Sequence, residues 1–182
     1  MRENPEAQLP ALYDEVRGKI RALGVEKANL LSREDLENLL GKHFGKEYIH
    51  LSSIFLNPAE NSATSFWGKA DMPSWIFAHH PNGEAIMPGV QLVEMANQTL
   101  ATLLLQSKSP ISFVSRETHN KLKAPINPEK GLTCKVTITS FRTKTIKGKT
   151  IVIAEAVAQI FEKDSTKVAA EIEIKGAGEI LG

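Results

Sequence analysis

Apolar residues first recur at helical spacing early in the chain, where Leu12, Val16, Ile20 and Leu23 follow Pro10 and Gly24 offers a stop. The pattern predicts an amphipathic helix. A second helix is predicted just downstream: Ser32 and Asp35 have the spacing of a capping box, and Leu36, Leu39, Leu40 and Phe44 form an apolar stripe. Together they make a helical leader, residues 1–45, expected to lid the domain that follows, residues 46–182, or to shield a hydrophobic sheet.

β-formers dominate residues 48–56, a polar break covers 57–61, and a shorter strand pattern covers 63–67, which predicts an antiparallel pair. Between residues 73 and 88 the chain carries Pro73, Pro81, Pro88, Gly83, His79 and His80, so irregular structure is expected. Residues 89–106 then read as a helix whose Val90, Val93, Met95, Ala96, Leu100, Leu103, Leu104 and Leu105 cover most of its circumference. Such a helix is normally buried. Its polar residues Gln91, Glu94, Asn97, Gln98 and Thr102 fall on one narrow stripe. That stripe faces either water, or a cavity or subunit interface in which each polar group needs a partner, because burial without one costs roughly 2–7 kcal/mol.

Strand patterns dominate the last third. Cys134, Val136 and Ile138 alternate with Thr133, Lys135, Thr137 and Thr139; residues 151–161 are apolar on both faces, as in a central strand; Val168, Ala170, Ile172 and Ile174 alternate with Lys167, Ala169, Glu171 and Glu173. The fold class expected is α+β, a mostly antiparallel sheet wrapped around one long central helix, with a helical N-terminal extension.

Composition narrows the chemistry. A chain of 182 residues, 42% hydrophobic and 24% charged, supplies one substantial core and so one domain. No apolar run is long enough to span a bilayer and the first residues lack the features of a secretory signal, so a soluble, cytoplasmic protein without membrane insertion is expected. The single cysteine and the lack of Cys/His ligand spacings argue against a disulfide or a metal, and a net charge of +1 gives no case for nucleic acid. The charge is uneven, however: residues 121–150 carry +7 and residues 151–182 carry −3. The basic block is either a solvated face or a surface that steers an acidic partner.

Two residues flank the Pro/Gly segment with groups suited to proton transfer, His80 in the loop and Glu94 in the helix. The stretch HPNGEAIMPGVQLVEMANQ, residues 80–98, resembles the signature HFPGxPxMPGVxxxExMAQ of the hot-dog-fold 3-hydroxyacyl-[acyl-carrier-protein] dehydratases. Gly83, Met87, Pro88, Gly89, Val90 and Gln98 also fall on that pattern. LKAPINPEKGL, residues 122–132, is similar to the same family's FRKPVVPGDxL, with Pro125 and Pro128 on its prolines. The resemblance spans residues 48–176.

It implies a hot-dog fold that dehydrates 3-hydroxyacyl thioesters to trans-2-enoyl thioesters, or hydrates them in reverse, in fatty-acid-like or polyketide-like metabolism. His80 would be the general base at C2, Glu94 would protonate the departing C3 hydroxyl, and the Gly89 backbone amide would polarise the thioester carbonyl. Pro88, Val90, Asn97 and Gln98 would contact substrate. No cofactor is implied; the partners would be an acyl-carrier-protein or CoA thioester substrate and a second copy of the chain, since the family shares its site across a dimer, alone or within a higher oligomer of dimers.

Pro81, Asn82 and Ala85 depart from the signature, which also admits a non-catalytic protein that binds acyl-carrier protein or lipid. A second resemblance leads elsewhere on the same fold. MANQ, residues 95–98, and KAPINPEKG, residues 123–131, look like the type III long-chain fatty acyl-CoA thioesterases, whose functional asparagine maps onto Asn97. That family's catalytic tyrosines have no match here, and it lacks the His80/Glu94 pair. It implies acyl-thioester hydrolysis or, in related proteins, conjugate addition of an amine to an enoyl thioester.

Overall fold

A computed structural model describes residues 29–78, 83, 85–107 and 110–181. The expected helix at residues 12–23 lies outside them. Helix α1 (Arg33–Phe44) begins where the sequence places it: the Asp35 N–H donates to Ser32 Oγ, and Asp35 Oδ2 accepts from the Ser32 N–H at 2.8 Å, closing the capping box. Gly45, with φ +83°, ends it. Leu36 and Leu40 are buried in the main core, so this half of the leader is built into the domain. A short strand β1 (Asn29–Leu31), which the pattern does not signal, adds to the sheet just before it.

Strands β2 (Ser53–Asn57) and β3 (Ser62–Trp67) form the expected antiparallel pair, joined through a turn that closes at Asn61. The β-rich stretch before Ser53 is not strand. Its carbonyls are taken by side chains instead: Arg33 Nη1 donates to Ile49 O at 2.8 Å and Leu51 O at 3.0 Å, and Gln98 Nε2 donates to Tyr48 O at 2.7 Å. After a short helix α2 (Trp75–Ala78), residues 85–88 are irregular and lead into helix α3 (Gly89–Leu105).

Four long strands follow: β4 (Ile111–Leu122), β5 (Leu132–Ile146), β6 (Lys149–Glu162) and β7 (Ala170–Ile180). Among the described residues they complete a seven-stranded antiparallel sheet in the order β1-β2-β3-β5-β6-β7-β4. The β5–β6 hairpin turns in two residues, Lys147 and Gly148, at φ +51° and +79°, the left-handed pair that a tight hairpin matched to strand twist requires.

The sheet wraps around α3, whose Leu92, Met95, Ala96, Leu100, Leu103 and Leu104 enter one core with the inward faces of the strands. This is the hot-dog arrangement of an antiparallel sheet around a long helix. β6 is interior in the sheet, as its apolar pattern suggests, with Val152, Ala154, Ala156, Ala158 and Ile160 buried and the alternate residues half-buried. β4 is the strand that the periodicity conceals, because a bulge at Arg116 breaks its alternation and its second half is polar on both faces. It packs closely on β7: a Cβ at Gly176 would lie 2.3 Å from Val114 O, so glycine is required there.

Candidate functional site

The polar stripe of α3 divides into two layers. Glu94 and Asn97 line a cavity of about 290 Å³ between α3, the C-terminal end of α1 and strand β4. Ala101 and Leu105 continue the same helix face, so the wall runs from polar to apolar over roughly 16 Å of helix. His43 and Phe44 of α1 and residues 112–115 of β4 complete it. The Asn97 Oδ1 is buried and has no hydrogen-bond partner among the described residues. A buried carbonyl oxygen left in that state asks for a donor from a ligand or water.

The second layer sits behind the cavity wall. Gln98 is fully buried, at 0% exposure, and its amide joins Glu94 Oε1 at 2.8 Å, Tyr48 O at 2.7 Å and the His50 N–H at 2.7 Å. His50 is itself buried; its Nδ1 lies 2.6 Å from Tyr48 O, its Nε2 meets the Gln91 side chain, and its ring is 4.6 Å from that of Trp67. Thr102 is buried with its hydroxyl on the Gln98 carbonyl, and Thr99 with its hydroxyl against Ser65. Both are backbone-satisfied or paired, and both pack α3 rather than line the cavity.

Of the residues singled out from sequence, Glu94 and Asn97 therefore come together in one cavity. Gln98 touches Glu94 but is closed off from the cavity. Pro88 caps α3, Gly89 opens it and Val90 is 68% exposed; none of these three lines the cavity. Gly89 is about 7.5 Å from Glu94 along the helix axis and roughly 140° around it. As the first helical residue, it has an N–H without an intrahelical acceptor. His79, His80, Pro81 and Asn82 lie outside the described residues.

Two histidines were not anticipated, His43 at the cavity and His50 behind it. Neither carries a motif; His50 acquires its neighbours only when the loop after α1 folds against α3, a contact that no local pattern signals. The one cysteine is buried in the core, where loss of hydration pushes its thiol up to about 12, so Cys134 is an inert hydrophobe.

The basic block is answered within the fold. Lys123 pairs with Glu171 at 3.1 Å, Lys130 with Glu162 at 2.7 Å, Lys149 with Glu179 at 2.9 Å and Arg142 with Glu155 at 3.6 Å. The acidic residues of β6 and β7 thus pair with half of the eight cations in that block, which weakens the field an acidic partner would meet. Lys130 and the Asn127 N–H hold the Glu162 carboxyl below its ordinary range. No helix among the described residues is long and apolar enough to cross a membrane, and no group of three metal-ligating side chains occurs among them.

No family profile and no curated protein sequence matches this chain. Solved structures do. A candidate thioesterase from Silicibacter sp. is similar at a TM-score of 0.56 and 12% identity, covering 86% of this chain and 95% of that one. A candidate thioesterase from Shewanella oneidensis matches at 0.56 and 12%, covering 81% and 96%. Zebrafish thioesterase superfamily member 2 matches at 0.55 and 10%, covering 83% and 99%. At these identities the likeness establishes the fold, and the chemistry has to be argued from the cavity.

Proposed function

We propose that the protein hydrolyses acyl thioesters, with Glu94 and Asn97 acting on a water molecule. The observation that carries this reading is the pairing, one helical turn apart in a single cavity, of a carboxylate oxygen and an amide oxygen, Asn97 Oδ1, both without a partner among the described residues. A water held between them donates one proton toward Asn97 Oδ1 and the other to Glu94 as its oxygen attacks the thioester carbon. The carbonyl becomes a tetrahedral oxyanion, the C–S bond breaks, and the proton on Glu94 passes to the leaving thiolate. The products are a carboxylic acid and a free thiol. The apolar stretch at Ala101 and Leu105, closed by Phe113, suits an acyl tail, and the likeness in fold to thioesterases favours the same chemistry.

The Gly89 N–H is the carbonyl-polarising donor in this reading. Because Gly89 and Glu94 point to different sides of one helix, a single substrate reaches both most readily across two copies. The edge of β4 that is unpaired among the described residues, with Val114 and Leu122 exposed, is where a second copy of the chain would join. Either CoA or an acyl-carrier protein serves as the thiol component.

Dehydration is the second reading, and the residue pattern at 80–98 favours it: His80 and Glu94 stand at the dehydratase spacing. Glu94 then delivers a proton to the C3 hydroxyl instead of taking one from water. Incubation with saturated acyl, 3-hydroxyacyl and enoyl thioesters, with free thiol and enoyl absorbance followed separately, decides between them. Thiol release that falls about 100- to 10,000-fold in Glu94→Gln, the usual range for loss of a general base, supports hydrolysis. Enoyl interconversion without thiol release refutes it in favour of dehydration. Absence of both, with thioester binding retained, refutes both in favour of a binding protein.

A further inference from the structure

Glu94 is one end of a buried hydrogen-bond set whose directions can be assigned from chemistry. The His50 backbone N–H is an obligate donor, so the Gln98 side-chain oxygen, 2.7 Å away, accepts from it. That fixes the amide. Its nitrogen donates one proton to the Tyr48 carbonyl and the other to Glu94 Oε1, leaving Gln98 with no unused donor. His50 Nδ1 carries a proton as well, because it too faces the Tyr48 carbonyl, which accepts on its second lone pair. The 3.3 Å between His50 Nδ1 and Gln98 Nε2 is then two donors converging on one acceptor. With its proton on Nδ1 the neutral His50 ring accepts at Nε2, so the Gln91 amide turns its nitrogen there to donate, and the ring also packs on Trp67.

The set ends on one oxygen of one carboxylate. Glu94 Oε2 has no partner among the described residues, and Glu94 borders the cavity. If Gln98 served only to tie the loop to α3, its bonds to Tyr48 and His50 would suffice; its second N–H is spent on Glu94. We propose that Gln98, clamped by residues 48–50, is the positioning residue of the reaction: it pins one oxygen of Glu94 so that the other is presented to water and acyl carbon. His50 is the outer member of the relay, since its backbone sets which way the Gln98 amide faces. The inference rests on the reading that Glu94 acts on a thioester.

The test compares Gln98→Met, which keeps the shape and removes the donor, with Gln98→Glu, which keeps an acceptor for the His50 N–H. Both are assayed by thiol release and enoyl absorbance alongside thermal unfolding. Gln98 does not reach the cavity, so KM is expected to hold while kcat in Gln98→Met falls about 10- to 100-fold, the loss that a displacement of about 1 Å in a reacting group brings. Gln98→Glu is expected to recover turnover relative to the wild type as pH is lowered, because only its protonated carboxyl can donate to Glu94. Unchanged kcat in folded Gln98→Met overturns the positioning role while leaving the hydrolysis reading intact. Parallel changes in KM and kcat without recovery at low pH mark a merely structural tie and overturn it too. A wild-type protein that turns over no thioester overturns the reaction and the relay together.

Discussion

Replacing Asn97 with leucine is expected to raise stability and lower turnover at once. Asn97 Oδ1 is buried beside the cavity, without a hydrogen-bond partner among the described residues. An unsatisfied buried acceptor of this kind costs about 1–3 kcal/mol in the ligand-free protein. A leucine of similar shape removes that cost, and at roughly 2–4 °C per kcal/mol for a chain of this length the melting temperature should rise by roughly 2–12 °C. The same change removes the acceptor that holds the water, and kcat should fall about 100-fold. Calorimetry of the ligand-free protein and thiol release from acyl thioesters read the two effects independently. A lower melting temperature would show that the side chain has a partner and is structural. A stabilised variant with full activity would show that the oxygen is idle, and the hydrolysis reading would lose its main support.

Three further outcomes follow from packing and titration. Leu40→Ala, in the part of the leader built into the core, should cost about 2–5 kcal/mol in chemical denaturation, whereas a detachable lid would leave the midpoint unchanged. Gly176→Ala should destabilise by at least about 1–3 kcal/mol and raise amide exchange along β4, since the added Cβ would meet Val114 O at 2.3 Å and the Phe113 ring at 2.5 Å; normal exchange there would contradict the close approach. Cys134 should resist thiol reagents until the protein unfolds. Because its folded value is raised from 9.0 to about 12, the unfolded chain releases the proton first, so stability is lost as pH climbs from about 9 to about 12. Cys134→Ala should flatten that alkaline slope, and an identical slope in wild type and variant would refute the assignment.

Local chemistry explains what could be read from residue order. The capping box at Ser32 and Asp35, the apolar circumference of α3 and the alternation around Cys134 are each set by neighbours a few positions away, and each element appears where it was expected. The stretch before Ser53 has β composition but loses its backbone acceptors to Arg33 and Gln98, long side chains from elsewhere in the chain. β4 is hidden by its own bulge and by a polar half. At the cavity, the stripe on α3 points to Glu94 and Asn97, since helical spacing alone brings them to one face. His50 and His43 escape notice because their roles come from chain segments that meet only in the folded molecule.

Strand order also dictates a timetable for assembly. β4 follows α3 directly in the chain, yet among the described residues it pairs only with β7, so Ile111 finds its place opposite Ile180. Until β7 has been synthesised, β4 lacks the strand it pairs with, and the side of α3 that packs on β4 and β7 is left incompletely covered. Contacts closed over such long stretches form slowly. A nascent chain stopped short of β7 is therefore a natural client for chaperones, and loss of the final strand should leave an aggregating polypeptide instead of a smaller folded one.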